Sequence, residues 1–189
     1  MFDGLLGRAA PAAMFTVMAA YAGTALAEGH ATTEFPEPSA ALSAAFQSVS
    51  ESWDAGPLAF SKVVFSDGPA TGYGKYQPRS SSVFAPEEAI HVYAEPVGFT
   101  VEEADGIFSY RIAADFRLIN ATGQVLAQQD AFAAFSSEGR SARRELPATL
   151  AFQFSGLPAG DYALELDFED EVGGKSATAS LPFSISAAE

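Results

Sequence analysis

The sequence predicts an all-β protein, an antiparallel β-sandwich preceded by one short helix. From Leu58 onward, apolar and polar residues alternate over most segments, as in strands that bury one face. Glycine, proline and asparagine residues separate these segments, as turns between strands require. The last two segments form a hairpin, which cannot hide its apolar face alone and must pack on a second sheet.

Residues 1–27 have the features of an export signal. Arg8 supplies a positive charge, an apolar core follows, and Ala25-Leu26-Ala27 is a small-residue cleavage site. The apolar run is short and contains Pro11, which favours a signal over a membrane-spanning helix. We therefore expect a periplasmic or secreted protein with no membrane span after processing.

Charge and composition exclude several classes of function. Residues 1–27 contain one acid, Asp3, and one base, Arg8, so the processed chain keeps the formal net charge of −14. This charge repels nucleic-acid phosphates and anionic lipid surfaces, so no nucleic-acid partner is expected. An envelope protein or a glycan is the expected partner.

Sulfur is confined to the predicted signal. The sequence has no cysteine, and its three methionines, Met1, Met14 and Met18, all lie in residues 1–27. Thiolate catalysis, disulfides, zinc–cysteine sites and cuprous thioether sites are thereby excluded from the processed chain. No cofactor is expected.

Residues 28–56 are predicted to form a flexible lead-in and a short amphipathic helix. The lead-in is polar and contains prolines. Ser39 is the expected N-cap, and Gly56-Pro57 ends the helix. Apolar residues then recur at helical spacing: Leu42, Ala45, Phe46, Val49 and Trp53. We expect this helix to close one end of the sandwich in preference to binding a partner.

The sandwich is predicted to occupy residues 57–186. Its expected strands cover residues 58–65, 89–95, 107–119, 124–127, 131–135, 148–155, 162–169 and 177–185. We expect a bulge near Ser61-Lys62, a hairpin loop at Asn120-Ala121-Thr122-Gly123, a polar loop over residues 136–145 and a turn at Gly173-Gly174. Pro86 and Pro96 are expected to bound the strand over residues 89–95, because proline has no N–H to donate. About seven to nine such strands are typical of an immunoglobulin or fibronectin type III sandwich.

Three motifs carry a resemblance to a known family. They are Tyr76-Gln77-Pro78-Arg79, Phe84-Ala85-Pro86-Glu87-Glu88 and Tyr93-Ala94-Glu95-Pro96-Val97-Gly98-Phe99. They resemble a family of uncharacterised exported bacterial proteins with Tyr-x-Pro-Arg, Phe-x-Pro-Gly-Glu and Tyr-x-Glu-Pro-Val-Gly-Phe motifs. The C-terminal hairpin is similar to that family's last hairpin and to bacterial immunoglobulin-like domains.

The resemblance covers most of residues 72–185 and implies fold and export, but no activity. This chain departs from the pattern at Glu87, where the family has glycine. A turn that needs positive φ at this position is therefore in question.

The first candidate site is the polar face of residues 89–95. If this strand pairs with residues 107–119, its polar side chains lie beside an arginine of that strand. The predicted recognition surface for a protein or glycan consists of Tyr73, Tyr76, Arg79, His91, Tyr93, Glu95 and Arg111. The alternative is a solvated sheet face with ordinary ion pairs.

The second candidate site is the amino terminus created by cleavage after Ala27. Glu28-Gly29-His30 would supply an amine, two amide nitrogens and an imidazole, a square-planar set that suits Cu(II) or Ni(II). Metal chelation is thus the alternative to a binding function. A chance histidine in a leader segment is the simpler interpretation.

The remaining polar features predict no further site. The acidic run Asp167, Glu169, Asp170, Glu171 lacks calcium-loop spacing and is expected to be solvated charge on an edge strand. The sequence has two histidines and no Gly-x-Ser-x-Gly elbow or phosphate loop. Catalytic pairs can still assemble from distant strands. We predict a non-catalytic binding or scaffolding module.

Overall fold

The computed structural model describes residues 35–187. The helix and all the strands described below lie within one compact unit, Pro38–Glu189. The predicted signal and the candidate metal motif Glu28-Gly29-His30 lie outside the described residues. Within those residues, no helix is both long enough and apolar enough to cross a membrane.

The described chain is mostly β-structure with one helix, which confirms the all-β class. The elements in chain order are α1 (Ala40–Ala55), β1 (Ala59–Ser66), β2 (Val83–Phe84), β3 (Ile90–Val97), β4 (Glu102–Ala104), β5 (Ile107–Asn120), β6 (Val125–Gly139), β7 (Ala148–Phe152), β8 (Gly160–Asp170) and β9 (Ser176–Ile185).

The strands form two sheets. One is antiparallel with the order β1-β3-β7, and the other has the order β2-β9-β8-β5-β4 with β6 also paired to β5. One pairing departs from the predicted antiparallel arrangement, since β2 runs parallel to β9. The sequence did not predict β2 or β4, because segments of two and three residues are too short to show alternation.

The two sheets share one hydrophobic core. Alternate residues of β3, β5, β7, β8 and β9 point into it, as their sequence pattern predicted. Aromatic rings join the sheets, and the rings of Phe60 on β1 and Phe168 on β8 meet edge to face with centroids 5.1 Å apart. This shared core is what holds the sheets together.

Local turn chemistry explains the clearest sequence predictions. The β1–β3 register shifts between Phe60 and Lys62, which confirms the bulge at Ser61. The side-chain oxygen of Asn120 accepts hydrogen bonds from the N–H groups of Thr122 (3.1 Å) and Gln124 (2.9 Å), which closes the predicted β5–β6 hairpin.

Strand β6 is longer than predicted. The sequence suggested two short strands and a loop from residue 136, but β6 continues to Gly139. The predicted break is a bulge, where Ala131 has a φ of 47° and its N–H donates to Asp115 Oδ1 at 2.6 Å. The β5–β6 ladder therefore continues across the predicted break as one strand.

Pro96 lies inside β3, so the prediction that it ends the strand was wrong. Its partner is Phe60, directly beside the Ser61 bulge where the ladder is already irregular. A proline without an N–H is tolerated at such a position.

Helix α1 starts and ends as predicted. Ser39 Oγ accepts a hydrogen bond from Leu42 N at 3.2 Å, and Gly56 N donates to Ser52 O at 3.1 Å. None of the residues of α1 is fully buried, although Trp53 packs against the core, so the prediction that the helix closes one end of a sandwich stays a prediction. Its last turns attach it to the sheets, where Trp53 Nε1 donates to Phe99 O at 2.7 Å.

The acidic run was predicted to be solvated charge on an edge strand, and the burial of Asp170 shows that this prediction was wrong for Asp170. Strand β8 lies between β9 and β5, and Asp170 is fully buried at its end. Its carboxylate accepts hydrogen bonds from the N–H groups of Thr100, Val172 and Gly173. It therefore organises the β8–β9 turn and ties it to the segment before β4.

Glu87 adopts the left-handed conformation that the family pattern reserves for glycine, with a φ of 62°. Replacing Glu87 with glycine is expected to stabilise the fold by up to about 1 kcal/mol, since relief of left-handed strain outweighs the added chain entropy. Glu87→Ala is the control, because it removes the charge and keeps the strain. Urea denaturation would contradict this interpretation if the glycine variant were no more stable than the alanine variant.

Candidate functional site

A cluster of tyrosines covers the face of β3 that points away from the core. Tyr93 was predicted to be on a polar face, yet it is fully buried. The ring of Tyr76 stacks on it with centroids 4.1 Å apart. The loop between β1 and β2 thus folds over β3 and closes what would otherwise be an open sheet face.

A chain of hydrogen bonds fixes this cluster. Gly74 N donates to the Tyr93 hydroxyl at 2.7 Å, and that hydroxyl donates to Glu95 Oε1 at 2.8 Å. Ser61 Oγ donates to Glu95 Oε2 at 2.9 Å. Burial, with a further contribution from Glu95, raises the pKa of Tyr93 to about 12. The hydroxyl is therefore protonated at neutral pH and serves as a structural donor.

Tyr73 lies at the rim of this cluster and is half-buried. Burial raises its pKa, and the negative charge of Glu95 acts in the same direction. Tyr73 also lines a polar cavity of about 550 Å³ together with residues from the segment before β7. The other lining residues are Ala142, Arg143, Arg144, Glu145 and Pro147.

The two arginines of this cavity, like Arg140 in the same segment, form no salt bridge among the described residues. Arg79, Arg111 and Arg117 each form a salt bridge with a carboxylate, whereas no salt bridge within residues 35–187 involves Arg143 or Arg144. The cavity therefore offers two positive charges without a carboxylate partner among the described residues.

Arg144 is held in place by neutral groups of α1. Its Nη2 donates to Ser50 Oγ at 2.9 Å, and its guanidinium lies 5.7 Å from the ring centroid of Trp53. Its Nε is buried and has no hydrogen-bond partner among the described residues. The guanidinium is thus oriented while part of its donor capacity is unused.

The structure brings together only part of the predicted recognition surface. Tyr73, Tyr76, Tyr93 and Glu95 form the cluster above. His91 lies on β3 two residues before Tyr93, where its strand partners are Ser66 on β1 and Ala151 on β7. Its Nδ1 is buried and has no hydrogen-bond partner among the described residues.

Arg111 lies in the other sheet, where it pairs with Glu102 at 3.1 Å. The suggested pairing of β3 with β5 was wrong, because β3 lies between β1 and β7. Alternation identifies the buried face of a strand but not its neighbours.

Arg79 belongs to a separate contact that joins two of the motifs. Its Nη1 pairs with Glu88 Oε1 at 2.8 Å, and its guanidinium stacks 4.3 Å from the centroid of the Phe84 ring. Its Nη2 also donates to the carbonyl of Val83 at 3.0 Å. Arg79 therefore anchors β2.

Sequence reasoning missed Arg143 and Arg144 as site residues. The signal was present, since Arg140, Arg143 and Arg144 fall within five residues of an otherwise acidic chain. Nothing in the sequence indicated that Tyr73 would lie beside them. Among the described residues, no group of three or more His, Asp or Glu side chains could hold a metal ion.

No protein family matches the chain, and no curated protein matches it. The resemblance to the exported bacterial family stays a prediction. Function is therefore inferred from the chemistry of the site itself.

Proposed function

We propose that this protein is a non-catalytic binding module of the bacterial envelope, periplasmic or secreted, built on an immunoglobulin-like or fibronectin type III-like sandwich. Two sheets around one core support that architecture. The motif residues also contact one another, since Tyr76 stacks on Tyr93 and Arg79 contacts both Phe84 and Glu88.

The cavity beside Tyr73 carries the proposal. Its arginines point to recognition because they have no carboxylate partner among the described residues. The hydrogen-bonded cluster of Tyr93 and Glu95 behind Tyr73 preorganises this wall, which lowers the entropic cost of binding. A glycan or a protein segment is the ligand of this site.

Binding without turnover fits the protonation of the site. Burial raises the pKa of Tyr73, so the tyrosine that lines the cavity stays protonated at neutral pH. The residues that line the cavity include no histidine. Such a wall orients a ligand but offers no imidazole base to activate it.

The test compares Tyr73→Ala with Gln77→Ala, a change at an exposed position of the same loop that does not line the cavity. Immobilised wild-type protein is expected to retain an envelope glycan or protein, and Tyr73→Ala to retain about 10-fold less of it. Gln77→Ala is expected to match the wild type. Equal retention by all three proteins would contradict the proposal.

Chelation of Cu(II) or Ni(II) by Glu28-Gly29-His30 is the second candidate, favoured by the position of the histidine in the sequence. It requires cleavage after Ala27, since only a free amine at Glu28 completes the nitrogen set. A visible d–d band on addition of one equivalent of Cu(II) to the processed protein is the expected result. A mature amino terminus other than Glu28 would eliminate this candidate.

A further inference from the structure

We propose that the cavity beside Tyr73 binds a small hydroxylated carboxylate, a sugar acid, through Arg143 and Arg144. This inference rests on the proposed function and gives the chemical class of the ligand for the same cavity. Two properties of the cavity wall lead to this ligand class, its positive charge and its mixture of donors and acceptors. A third is the negative net charge of the whole protein.

The positive charge selects a carboxylate. Guanidinium groups present N–H donors in a planar fork that matches the two oxygens of a carboxylate. Arg144 is already oriented by Ser50 and Trp53, and because its Nε is buried, the outer edge of its guanidinium is what faces the cavity that it lines. Arg143 is exposed at the same wall and can approach a ligand from the solvent side.

The other lining groups select hydroxyls next to that carboxylate. The Tyr73 hydroxyl lies near Ser61 and Glu95 and can accept a hydrogen bond from a ligand hydroxyl. Glu145 lines the same cavity and accepts hydrogen bonds from hydroxyl groups. The Pro147 ring supplies apolar surface for the carbon skeleton of a pyranose.

Charge argues against phosphates and polyanions. Glu145 repels a second negative charge in the cavity, which disfavours a dianion relative to a singly charged carboxylate. The formal net charge of −14 repels an anionic polymer as it approaches. A small ligand with one negative charge experiences the two arginines and the single acid of the cavity more than the distant acids, because salt screens the distant charges.

The test is calorimetric titration of the purified protein with D-glucuronate, D-glucose and inorganic phosphate. Glucuronate and glucose differ only in the carboxylate, so their comparison isolates the contribution of the arginines. Glucuronate is expected to bind about 10- to 100-fold more tightly than glucose, the range of a charged hydrogen-bonded contact. Phosphate is expected to bind more weakly than glucuronate.

Arg143→Ala is the main variant, because this exposed side chain forms no salt bridge among the described residues and its loss should leave folding intact. Its affinity for glucuronate is expected to fall about 10-fold or more. Arg140→Ala is the matched control, since Arg140 is exposed in the same segment but does not line the cavity. It removes an equal charge and is expected to leave the affinity unchanged.

The possible failures are distinguishable. Equal binding of glucose and glucuronate, both lost in Tyr73→Ala, would overturn the carboxylate inference and leave the binding module in place. Equal losses in Arg143→Ala and Arg140→Ala would assign the effect to overall charge and overturn it too. Phosphate binding more tightly than glucuronate would replace the sugar acid with an oxyanion site. If glucuronate does not bind, the sugar-acid inference fails, and if Tyr73→Ala also retains every envelope ligand, both proposals fail.

Discussion

Replacing Asp170 with alanine is expected to destabilise the protein by about 3–5 kcal/mol, because a buried N–H left without an acceptor costs about 1–3 kcal/mol and three partly buried N–H groups lose theirs. Asp170 Oδ2 accepts from Thr100 N at 2.8 Å, and Oδ1 accepts from Val172 N at 3.1 Å and Gly173 N at 3.0 Å. Alanine removes all three acceptor contacts at a fully buried position. Chemical denaturation monitored by Trp53 fluorescence measures the loss.

Because of the same carboxylate, the free energy of unfolding is expected to depend on pH in the acid range. Burial alone would raise the pKa of Asp170, but the hydrogen bonds from Gly173, Thr100 and Val172 outweigh burial and lower it below the ordinary value of 3.8. A carboxyl whose pKa is lower in the folded state stabilises the protein above its unfolded pKa. That stabilisation is lost as pH falls through the folded pKa. The free energy of unfolding should therefore fall below about pH 4.

Two variants separate this effect from general acid sensitivity. Asp170→Asn keeps one oxygen acceptor and the side-chain shape, so it should lose less stability than Asp170→Ala, and its unfolding energy should vary less below about pH 4. Glu169→Ala removes a charge from the exposed neighbouring position and should have little effect. A destabilisation of Asp170→Ala equal to that of Glu169→Ala would refute the structural role of the carboxylate.

Asp170 also illustrates what the sequence could predict. Alternation located β5, β8 and β9 and assigned their buried faces, because a side-chain period of two follows from strand geometry. It could not identify Asp170 as buried. The donor Thr100 N lies 70 residues earlier in the chain, and only the folded structure brings it to the carboxylate.

Tyr93 and the arginines of the cavity show the same limit at the site. The pattern of β3 placed Tyr93 opposite the core, which was right, but its burial depends on Tyr76 and Gly74 in a loop with no alternation to interpret. Arg143 and Arg144 were visible as a basic segment. Their meeting with Tyr73 is a property of tertiary structure, since the two segments are separated by β2 to β6.

Gly98 is a position where a single added methyl group should strongly disrupt the fold, because the contact is with backbone. Its φ is +78°, and a Cβ at this position would lie 2.2 Å from the carbonyl oxygen of Pro57. The left-handed conformation alone costs an alanine about 1–2 kcal/mol. Overlap with a backbone atom adds to that cost, so Gly98→Ala is expected to lose about 3 kcal/mol or more.

Neither side of this contact can move away easily. Pro57 joins the end of α1 to β1, and the next residue, Leu58, is buried in the core. On the other side, Lys175 Nζ donates to Gly98 O at 2.7 Å and fixes the orientation of the peptide. The glycine of the third motif is therefore explained by close backbone approach as well as by its φ.

Gly74→Ala is the matched control for this prediction. Gly74 has a φ of +67°, yet no heavy atom would lie within 4 Å of a Cβ there. Its alanine variant should therefore carry only the conformational cost of about 1–2 kcal/mol. Because both variants share that cost, the difference between their unfolding free energies measures the clash with Pro57. If the two variants were equally stable, the segments would be able to separate, and the close packing of α1–β1 against β3 would not constrain the fold.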